Sequence, residues 1–353
     1  MKVFVSGGGT GGHFFPALAL IECLLEKGVP TAFIGSRRGI EQRLRTQIPV
    51  EALFLSSHPF MGRGIGEKLT AVLKNLRSSL EILQKLRGES VGVVFGGYAS
   101  LPLGLGCILG RRSLYLHEQN SVPSQSNRLL SKFAKRVFLT FENSRAYFPE
   151  EKAVKVGLPV RRRLLEGRGL SVERAREELG LEKGFTLLVM GGSQGASFLN
   201  RLALEVFSRT GWQGIHITGE RDYEDISSYY RERGMRVLTF PFSQQMEVIY
   251  RASNIAISRA GASSITELSL FGVPTLFIPF PHAVYDHQFY NAKEIEELGG
   301  GLLLREKEAD VEKVITFLEK IAQDKEVFSE RIKTFANPFA CELMVEYILR
   351  GGL

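Results

Sequence analysis

Short apolar runs, many closed by a glycine or small polar residue and followed by helical periodicity, recur along the whole chain. Lys2–Ser6, Thr31–Ile34, Val91–Phe95, Ser113–Leu116 and Val137–Leu139 form one set. Phe185–Met190, Gly214–Thr218, Arg236–Phe240, Asn254–Ser258 and Pro274–Ile278 form a second. These runs are too short for helices and lack polar alternation, so they read as strands buried on both faces, as in parallel sheets. Helical stretches lie between and after them, among them Pro16–Glu26, Leu69–Leu86, Glu173–Leu179 and Pro338–Leu349. Alternation of the two predicts βαβ units and an α/β class. Two sets predict two Rossmann-like domains with parallel sheets facing each other across a cleft.

A length of 353 residues agrees with two domains, at about 150 residues each. The GLPV turn and the basic run Arg161–Arg163 place the boundary near Gly157–Glu166. The expected division is 1–160 and 161–337, with the C-terminal stretch 338–353 packing back on the first domain. The composition is that of a globular protein, 44% hydrophobic and 24% charged, which excludes disordered, collagenous and coiled-coil classes. No apolar run reaches the ~20 residues of a bilayer span, and the N-terminus enters a strand directly. The expectation is therefore neither an integral membrane protein nor a Sec-exported one. Cys23, Cys107 and Cys341 are widely spaced; they suggest a reducing compartment rather than a disulfide framework or zinc site.

Charge changes the picture. The net charge is +7, but residues 1–160 carry 21 Lys and Arg against 11 acids, and the remainder 24 against 27. The first aspartate is Asp222. The N-terminal half thus favours an anion or an anionic surface. Zinc-finger, RRM and KH signatures are absent from the sequence, so nucleic acid is not an expected partner.

Three predicted strands end in glycine clusters: Ser6–His13 (SGGGTGGH), Gly96–Pro102 (GGYASLP) and Gly191–Ala196 (GGSQGA). Such loops let the backbone approach a phosphate while the next helix N-terminus supplies N–H groups and positive potential. One such loop is weak evidence, since a tight βα turn looks the same; three at matching positions are stronger. The Lys-Ser/Thr ending of a P-loop is missing, which disfavours ATP hydrolysis. The second strand ends in Gly35-Ser36-Arg37-Arg38 with no acid, which disfavours a nicotinamide cofactor. Further on, Ser258–Glu267 (SRAGASSITE) is another strand end, glycine turn and helix start. Glu267 there serves either the helix dipole, from the first turn, or the two hydroxyls of a ribose. Gln288 and Asn291 are three apart and share a helix face. Carboxamides suit sugar hydroxyls, because each offers donor and acceptor, but a solvated surface is the alternative.

Taken together and in order, GGGTGGHxxP, the GGY loop, His117-Glu118-Gln119-Asn120, GGSQGA, SRAGASSITE and DHQxxNA closely resemble the MurG family of N-acetylglucosaminyltransferases. The resemblance spans essentially the whole chain. It implies a GT-B fold and an inverting transfer of GlcNAc from UDP-GlcNAc to the C4 hydroxyl of undecaprenyl-pyrophosphoryl-MurNAc-pentapeptide. That is a step of peptidoglycan synthesis, with consequences for cell shape and division, at the cytoplasmic face of the plasma membrane. It implies no cofactor and no metal; the sequence holds no DxD motif and no closed ligand set. A UDP-GlcNAc 2-epimerase or another glycolipid transferase is the alternative reading.

Position by position, the resemblance gives Ser193, Gln194 and Arg161 to the donor diphosphate. Phe242–Met246, with Ser243 and Met246, would flank the uracil, and Glu267 would take the ribose. Gln288 and Asn291 would read the GlcNAc, and Asn200 would match a family position near the cleft. Thr10, Gly11, Gly12, Tyr98 and Asn120 fall to the acceptor. His13 and Glu118 are the candidate bases; His13 alternatively binds the acceptor diphosphate or caps its helix. The chain departs from the family at Leu158, often Asn, and at His287, often Gln. His58, His216 and His282 read as structural. Finally, Val72, Leu73, Leu76, Leu80 and Leu83 are expected to face the core. Ile82 and Leu86, with Lys68, Lys74, Arg77, Lys85, Arg87 and the segment Pro59–Arg63, are expected to dock on an anionic membrane surface; the alternative is that Ile82 and Leu86 pack under a neighbouring loop and the charges serve solubility.

Overall fold

The computed structural model describes residues 1–57, 65–192 and 195–351. The chain divides into two compact units, Met1–Arg162 with Asn337–Leu353, and Arg163–Ala336. Each is built on one wholly parallel sheet.

In the first unit the strands are β1 (Lys2–Ser6), β2 (Thr31–Ser36), β3 (Glu51–Leu55), β4 (Ser90–Val94), β5 (Ser113–Glu118), β6 (Arg136–Leu139) and β7 (Ala153–Lys155). Their spatial order is β3-β2-β1-β4-β5-β6-β7. The second unit has β8 (Thr186–Met190), β9 (Gln213–Ile217), β10 (Val237–Phe240), β11 (Ile255–Ser258), β12 (Thr275–Phe277) and β13 (Gly301–Leu303), in the order β10-β9-β8-β11-β12-β13. In each sheet the winding reverses beside the first strand, between β1 and β4 and between β8 and β11. The crevice beyond the strand ends at that reversal is where open α/β sheets bind ligands.

The ten strands expected from apolar runs are present, within about two residues at each end. Three others were not expected from the sequence, although Ala52–Leu55 in β3 is itself a short apolar run closed by serine. β3, β7 and β13 all lie at sheet edges and are partly exposed. An edge strand has one ladder and incomplete cover, so it needs fewer apolar residues and is often short.

Two helical layers sandwich the first sheet. On one side the helix Gly11–Glu26 packs with the C-terminal helix Ala340–Arg350, where Cys341, Met344, Val345 and Ile348 join Phe14, Leu18 and Ile21 in one core. On the other side lie the helices Ile65–Lys85 and Leu101–Leu109, with Ile82, Leu86, Leu103 and Cys107 buried over β4 and β5. This reverses the expected faces of the helix Ile65–Lys85. Ile82 and Leu86 are 0% and 3% exposed, whereas Leu76 and Leu80 are 43% and 49% exposed. The buried face is Asn75, Ser78, Ser79, Ile82 and Leu86. Its small residues let the helix come close to its neighbour: a Cβ on Gly106 would lie 2.8 Å from Ile82 and 3.2 Å from the Ser79 carbonyl oxygen. The serines need no water there, because Ser78 donates to the Ser56 carbonyl and Ser79 to that of Asn75. Close approach selected this face, and Leu76 and Leu80 were left outside. His58 and Pro59–Arg63, with the side chains of Lys68, Leu69, Val72 and Leu73, lie outside the described residues.

Candidate functional site

In the first unit the loop after β1 runs across the switch point. Gly7 lets the next helix pack onto the strand, since a Cβ there would lie 2.5 Å from the His13 carbonyl oxygen and 2.8 Å from Ala17. Gly9 has φ +87°, a conformation that disfavours any side chain. Sequence reasoning missed what holds this loop. Glu41, wholly buried in a short helix after β2, accepts the N–H of Gly9 at 2.8 Å and that of Ser36 at 2.9 Å. A Cβ on Gly8 or Gly39 would run into this carboxylate. The acid not found at the end of β2 thus stands five residues later, and it binds the chain's own amides. The signal was there: a lone glutamate amid glycines and arginines.

The helix then starts at Gly11, five residues before the Pro16 start expected from sequence. Thr10 at its N-cap is extended and exposed, makes no side-chain cap, and no acid sits in the first turn. The positive end of the helix dipole is therefore uncompensated from within, and backbone N–H groups of Gly11 and Gly12 stand where an anion gains most. His13 follows, half-buried, with Nδ1 3.0 Å from Oε1 of Gln119. Gly97, at φ +72°, allows this approach, because a Cβ there would be 3.2 Å from the imidazole. The Tyr98 ring lies against Gly9, 3.0 Å from where its Cβ would stand. Thr10, Gly11, Gly12, His13 and Tyr98 are thus brought together.

Glu118 sits behind them. It is 1% exposed and accepts from Asn120 N–H (2.9 Å), Asn127 Nδ2 (2.8 Å) and Ser124 N–H (3.3 Å). Burial pushes its carboxyl up to about 7, against the pull of these hydrogen bonds. Its geometry is that of a clasp on the turn that presents Asn120. Arg161, named from sequence for the donor, belongs to the first unit and lies over the Phe15 ring, 4.9 Å from its centroid.

The second unit repeats the plan. The loop after β8 turns through Gly192 (φ +87°) and Gly195 (φ +72°); Ser193 and Gln194 between them lie outside the described residues. A Cβ on Gly195 would collide with the Thr218 carbonyl oxygen at the end of β9. Gly195→Ala combines this clash with a left-handed φ, and it is expected to lower stability by roughly 2 kcal/mol or more. Thermal unfolding followed by the fluorescence of Trp212, the single tryptophan, measures it; an unchanged midpoint would contradict the account. Asn200 braces the loop from beneath. It is buried, donates to the Thr218 carbonyl (2.9 Å) and to Asp222 (2.8 Å), and its Oδ1 meets His216 Nε2 at 3.1 Å. His216 also meets the Tyr230 hydroxyl at 3.0 Å, and burial holds its imidazole down at about 3.

After β11 the chain turns at Gly261 into the helix Ala262–Phe271. Glu267 is its sixth residue, and the first turn holds no acid. The helix-dipole explanation of Glu267, which needs the first turn, is therefore wrong. Instead its Oε2 accepts from the Tyr250 hydroxyl at 2.8 Å. Tyr250, missed from sequence, is buried in the helix Met246–Ala252. It ties Glu267 to the segment that carries Met246 and Ser243, whose Oγ accepts from Gln245 N–H.

Gln288 and Asn291 each hold a loop. Gln288 Oε1 accepts from Phe280 N–H at 2.9 Å, and buried Asn291 donates to the Ala260 carbonyl at 3.1 Å. The preceding turn has two left-handed non-glycine residues, Tyr285 (φ +55°) and Asp286 (φ +54°), the latter paired with Arg305 at 2.9 Å. His287 Nδ1 lies 2.9 Å from the Val284 carbonyl oxygen. Such strain persists only where the surroundings over-determine it, and it clusters at ligand sites. Among the described residues no group of three His, Cys, Asp or Glu is placed to hold a metal ion.

Both units have relatives of known kind. The glycosyltransferase family 28 N-terminal domain matches residues 3–139, and the family's C-terminal domain matches residues 186–344. The chain is 49% identical over 350 residues to the UDP-N-acetylglucosamine–N-acetylmuramyl-(pentapeptide) pyrophosphoryl-undecaprenol N-acetylglucosamine transferase of Aquifex aeolicus, covering 98% of this chain and 99% of that one. It is 37% identical to the enzyme of the same name from a Sulfurihydrogenibium species, covering 99% and 98%. The crystal structure of MurG from Acinetobacter baumannii superposes with a TM-score of 0.80 at 26% identity, covering 99% of each chain.

Proposed function

The chain belongs to glycosyltransferase family 28, in its MurG group, and on that premise we infer that it moves GlcNAc from UDP-GlcNAc to undecaprenyl-pyrophosphoryl-MurNAc-pentapeptide in peptidoglycan synthesis. The observation that carries this reading is the 49% identity over nearly the full length of both chains. A whole-length match covers acceptor and donor loops alike. The decisive assay supplies UDP-GlcNAc with and without the muramyl-pyrophosphoryl lipid. Free UDP formed only with the lipid supports the transferase; UDP-ManNAc formed without it would establish the epimerase.

In the reaction, O4 of the muramyl sugar attacks C1 of GlcNAc, the C1–O bond to UDP breaks, and UDP leaves with the bonding electrons. His13 takes the hydroxyl proton. What supports His13 over Glu118 is exposure: His13 is half-buried at the loop, while the Glu118 oxygens are engaged by three donors inside the fold. Thr10, Gly11, Gly12, Tyr98 and Asn120 receive the acceptor, its diphosphate on the open helix N-terminus. In the second unit the glycine turn before the helix Ser197–Thr210, with Ser193 and Gln194, takes the leaving diphosphate, and Arg161 adds positive charge. Ser243 and Met246 flank the base, Glu267 accepts the ribose hydroxyls, and Gln288 and Asn291 shape the pocket for the sugar. Neither a metal nor a cofactor has a part.

The acceptor is a lipid, and no helix among the described residues is long and apolar enough to cross a membrane. In this reading the first unit meets the bilayer from the side, at its cytoplasmic face. Its docking surface is centred on the exposed Leu76 and Leu80, in place of Ile82 and Leu86. Leu76 and Leu80 stand out from their helix, and Leu83, on the same stripe, lies against Gly110. Leu109, Leu129 and Phe133, on the helical layer over the same sheet face, are exposed too. Lys74, Arg77, Lys85, Arg87, Arg111 and Lys132 are exposed on the same elements. Apolar residues ringed by cations suit an anionic leaflet, at about 1 kcal/mol per nearby cation. Leu76→Ser with Leu80→Ser is expected to lower sedimentation with anionic liposomes by at least tenfold, with unfolding unchanged. Binding that is equal on neutral liposomes, or unaltered by the two serines, would refute this surface. Nucleic acid is not a partner in this reading.

A further inference from the structure

We propose that Gln119 and His117 are positioning residues that keep the proton of neutral His13 on Nδ1, making Nε2 the basic nitrogen. The inference rests on the reading of His13 as the base and adds how that base is prepared. An unrestrained neutral imidazole populates both tautomers, and the partner of one nitrogen decides which is present. Three consecutive contacts make that decision here, and each is fixed by chemistry.

The chain starts at the carbonyl of Gly157, just after β7. Its orientation is set by a backbone that only glycine tolerates well: φ is +91°, and a Cβ would stand 3.1 Å from that of Asn337. Asn337 in turn donates to the Val156 carbonyl at 2.9 Å. The Gly157 oxygen lies 2.8 Å from His117 Nε2. A carbonyl only accepts, so Nε2 of His117 carries hydrogen. Burial holds the His117 imidazole down at about 4, so the ring is neutral near pH 7 and its Nδ1 is an acceptor. Stacking on Phe95, with centroids 5.1 Å apart, fixes the ring plane.

The carboxamide of Gln119 comes next. One end lies 3.2 Å from His117 Nδ1 and also 3.2 Å from the His117 main-chain oxygen. Both are acceptors, so that end is the NH2. The other end is then Oε1, which accepts only, and it lies 3.0 Å from His13 Nδ1. His13 must therefore donate from Nδ1. Gln119 is 1% exposed, so water does not compete for either end. The relay is neutral throughout and orients His13 without stabilising its cation as a carboxylate would. The other ionisable groups on the neighbouring elements are Glu118, clasped by its own donors, Glu41, bound to the Gly9 and Ser36 amides, and Tyr98 beside Gly9.

The test reads the tautomer directly. Long-range proton–nitrogen correlation spectra of the full-length enzyme, labelled in its histidine rings, are expected to show hydrogen on Nδ1 for His13 and on Nε2 for His117. A His13 ring protonated on Nε2 would overturn the relay. Gln119→Leu is expected to mix the His13 tautomers and lower kcat by ~10²-fold, within the range for a general base, with KM for UDP-GlcNAc unchanged. Gln119→Glu restores an acceptor opposite Nδ1. It is expected to recover the Nδ1–H tautomer and part of the turnover, with the acid limb of the pH–rate profile moved to higher pH by the added negative charge. A leucine variant with the parent tautomer and kcat, or a glutamate variant with neither recovered, would also overturn it. If the leucine variant does not fold, the spectra of the parent protein still decide. Should His13→Ala keep its turnover, the base assignment fails while the tautomer result stands, so the two failures are distinguishable.

Discussion

Replacing His13 by alanine is expected to lower kcat by roughly 10³-fold, in the middle of the range for loss of a general base, while leaving the affinity for UDP-GlcNAc within about twofold. His13 and the groups that hold it belong to the first unit, in contact with Gln119, Gly97 and the loop after β1. The residues assigned to the base and ribose of the donor belong to the second. A variant that cannot accept the acceptor proton should therefore fail in turnover and still bind the donor. Single-turnover kinetics with calorimetric titration of UDP-GlcNAc separates the two. A fall in donor affinity as large as the fall in turnover would assign His13 to the nucleotide instead. The pH–rate profile gives an independent reading: the acid limb present in the parent enzyme should disappear in the variant, and its persistence would exclude His13 as the base.

Glu267→Ala is expected to weaken UDP-GlcNAc binding by about 10- to 100-fold, or about 1.5–3 kcal/mol, the usual worth of hydrogen bonds to a charged group. The structure adds a control. The carboxylate also accepts from the buried Tyr250 hydroxyl, so alanine removes that bond and costs stability as well. Tyr250→Phe removes the internal bond and leaves the carboxylate in place. Its expected effect on donor affinity is small, under about 1 kcal/mol, the net worth of a neutral hydrogen bond. Equal losses in the two variants would mean that Glu267 only holds its neighbour helix. Unchanged affinity in Glu267→Ala would remove it from the donor site.

Much of this was legible in the residues, and the parts that were not share a cause. The central strands of both sheets could be read because burial on two faces requires uninterrupted Val, Ile and Leu, which no other element of that length needs. The glycine loops could be read because positive φ and close backbone approach leave glycine as the residue that fits, as at Gly9, Gly97 and Gly192. The edge strands β7 and β13 could not, since partial cover shortens and relaxes the pattern that betrays a strand; β10, also at an edge, could be read, and β3 was passed over despite its apolar run Ala52–Leu55. Tyr250 and Glu41 were missed for another reason. Neither belongs to a motif, and each acts on a segment far away in sequence, Glu41 on Gly9 and Tyr250 on Glu267.

The helix Ile65–Lys85 separates the two kinds of information most clearly. Its sequence offers a leucine stripe and a poorer face of Asn75, Ser78, Ser79, Ile82 and Leu86, and periodicity alone assigns the stripe to the core. Periodicity measures only how apolar residues are distributed around one helix. Which face is buried depends on the shape of what it meets, here Gly106 of the helix Leu101–Leu109, where only small residues allow the backbones to come close. His13 tells the same story for chemistry. The sequence by itself determined the class, the two parallel sheets, the family and the loop that carries the histidine, because these follow from local pattern and from motifs contiguous in the chain. Only the tertiary structure decided which nitrogen of that histidine holds the proton. That choice passes through Gly157, His117 and Gln119, and a hydrogen bond is fixed by distance in space, to which spacing along the chain is blind.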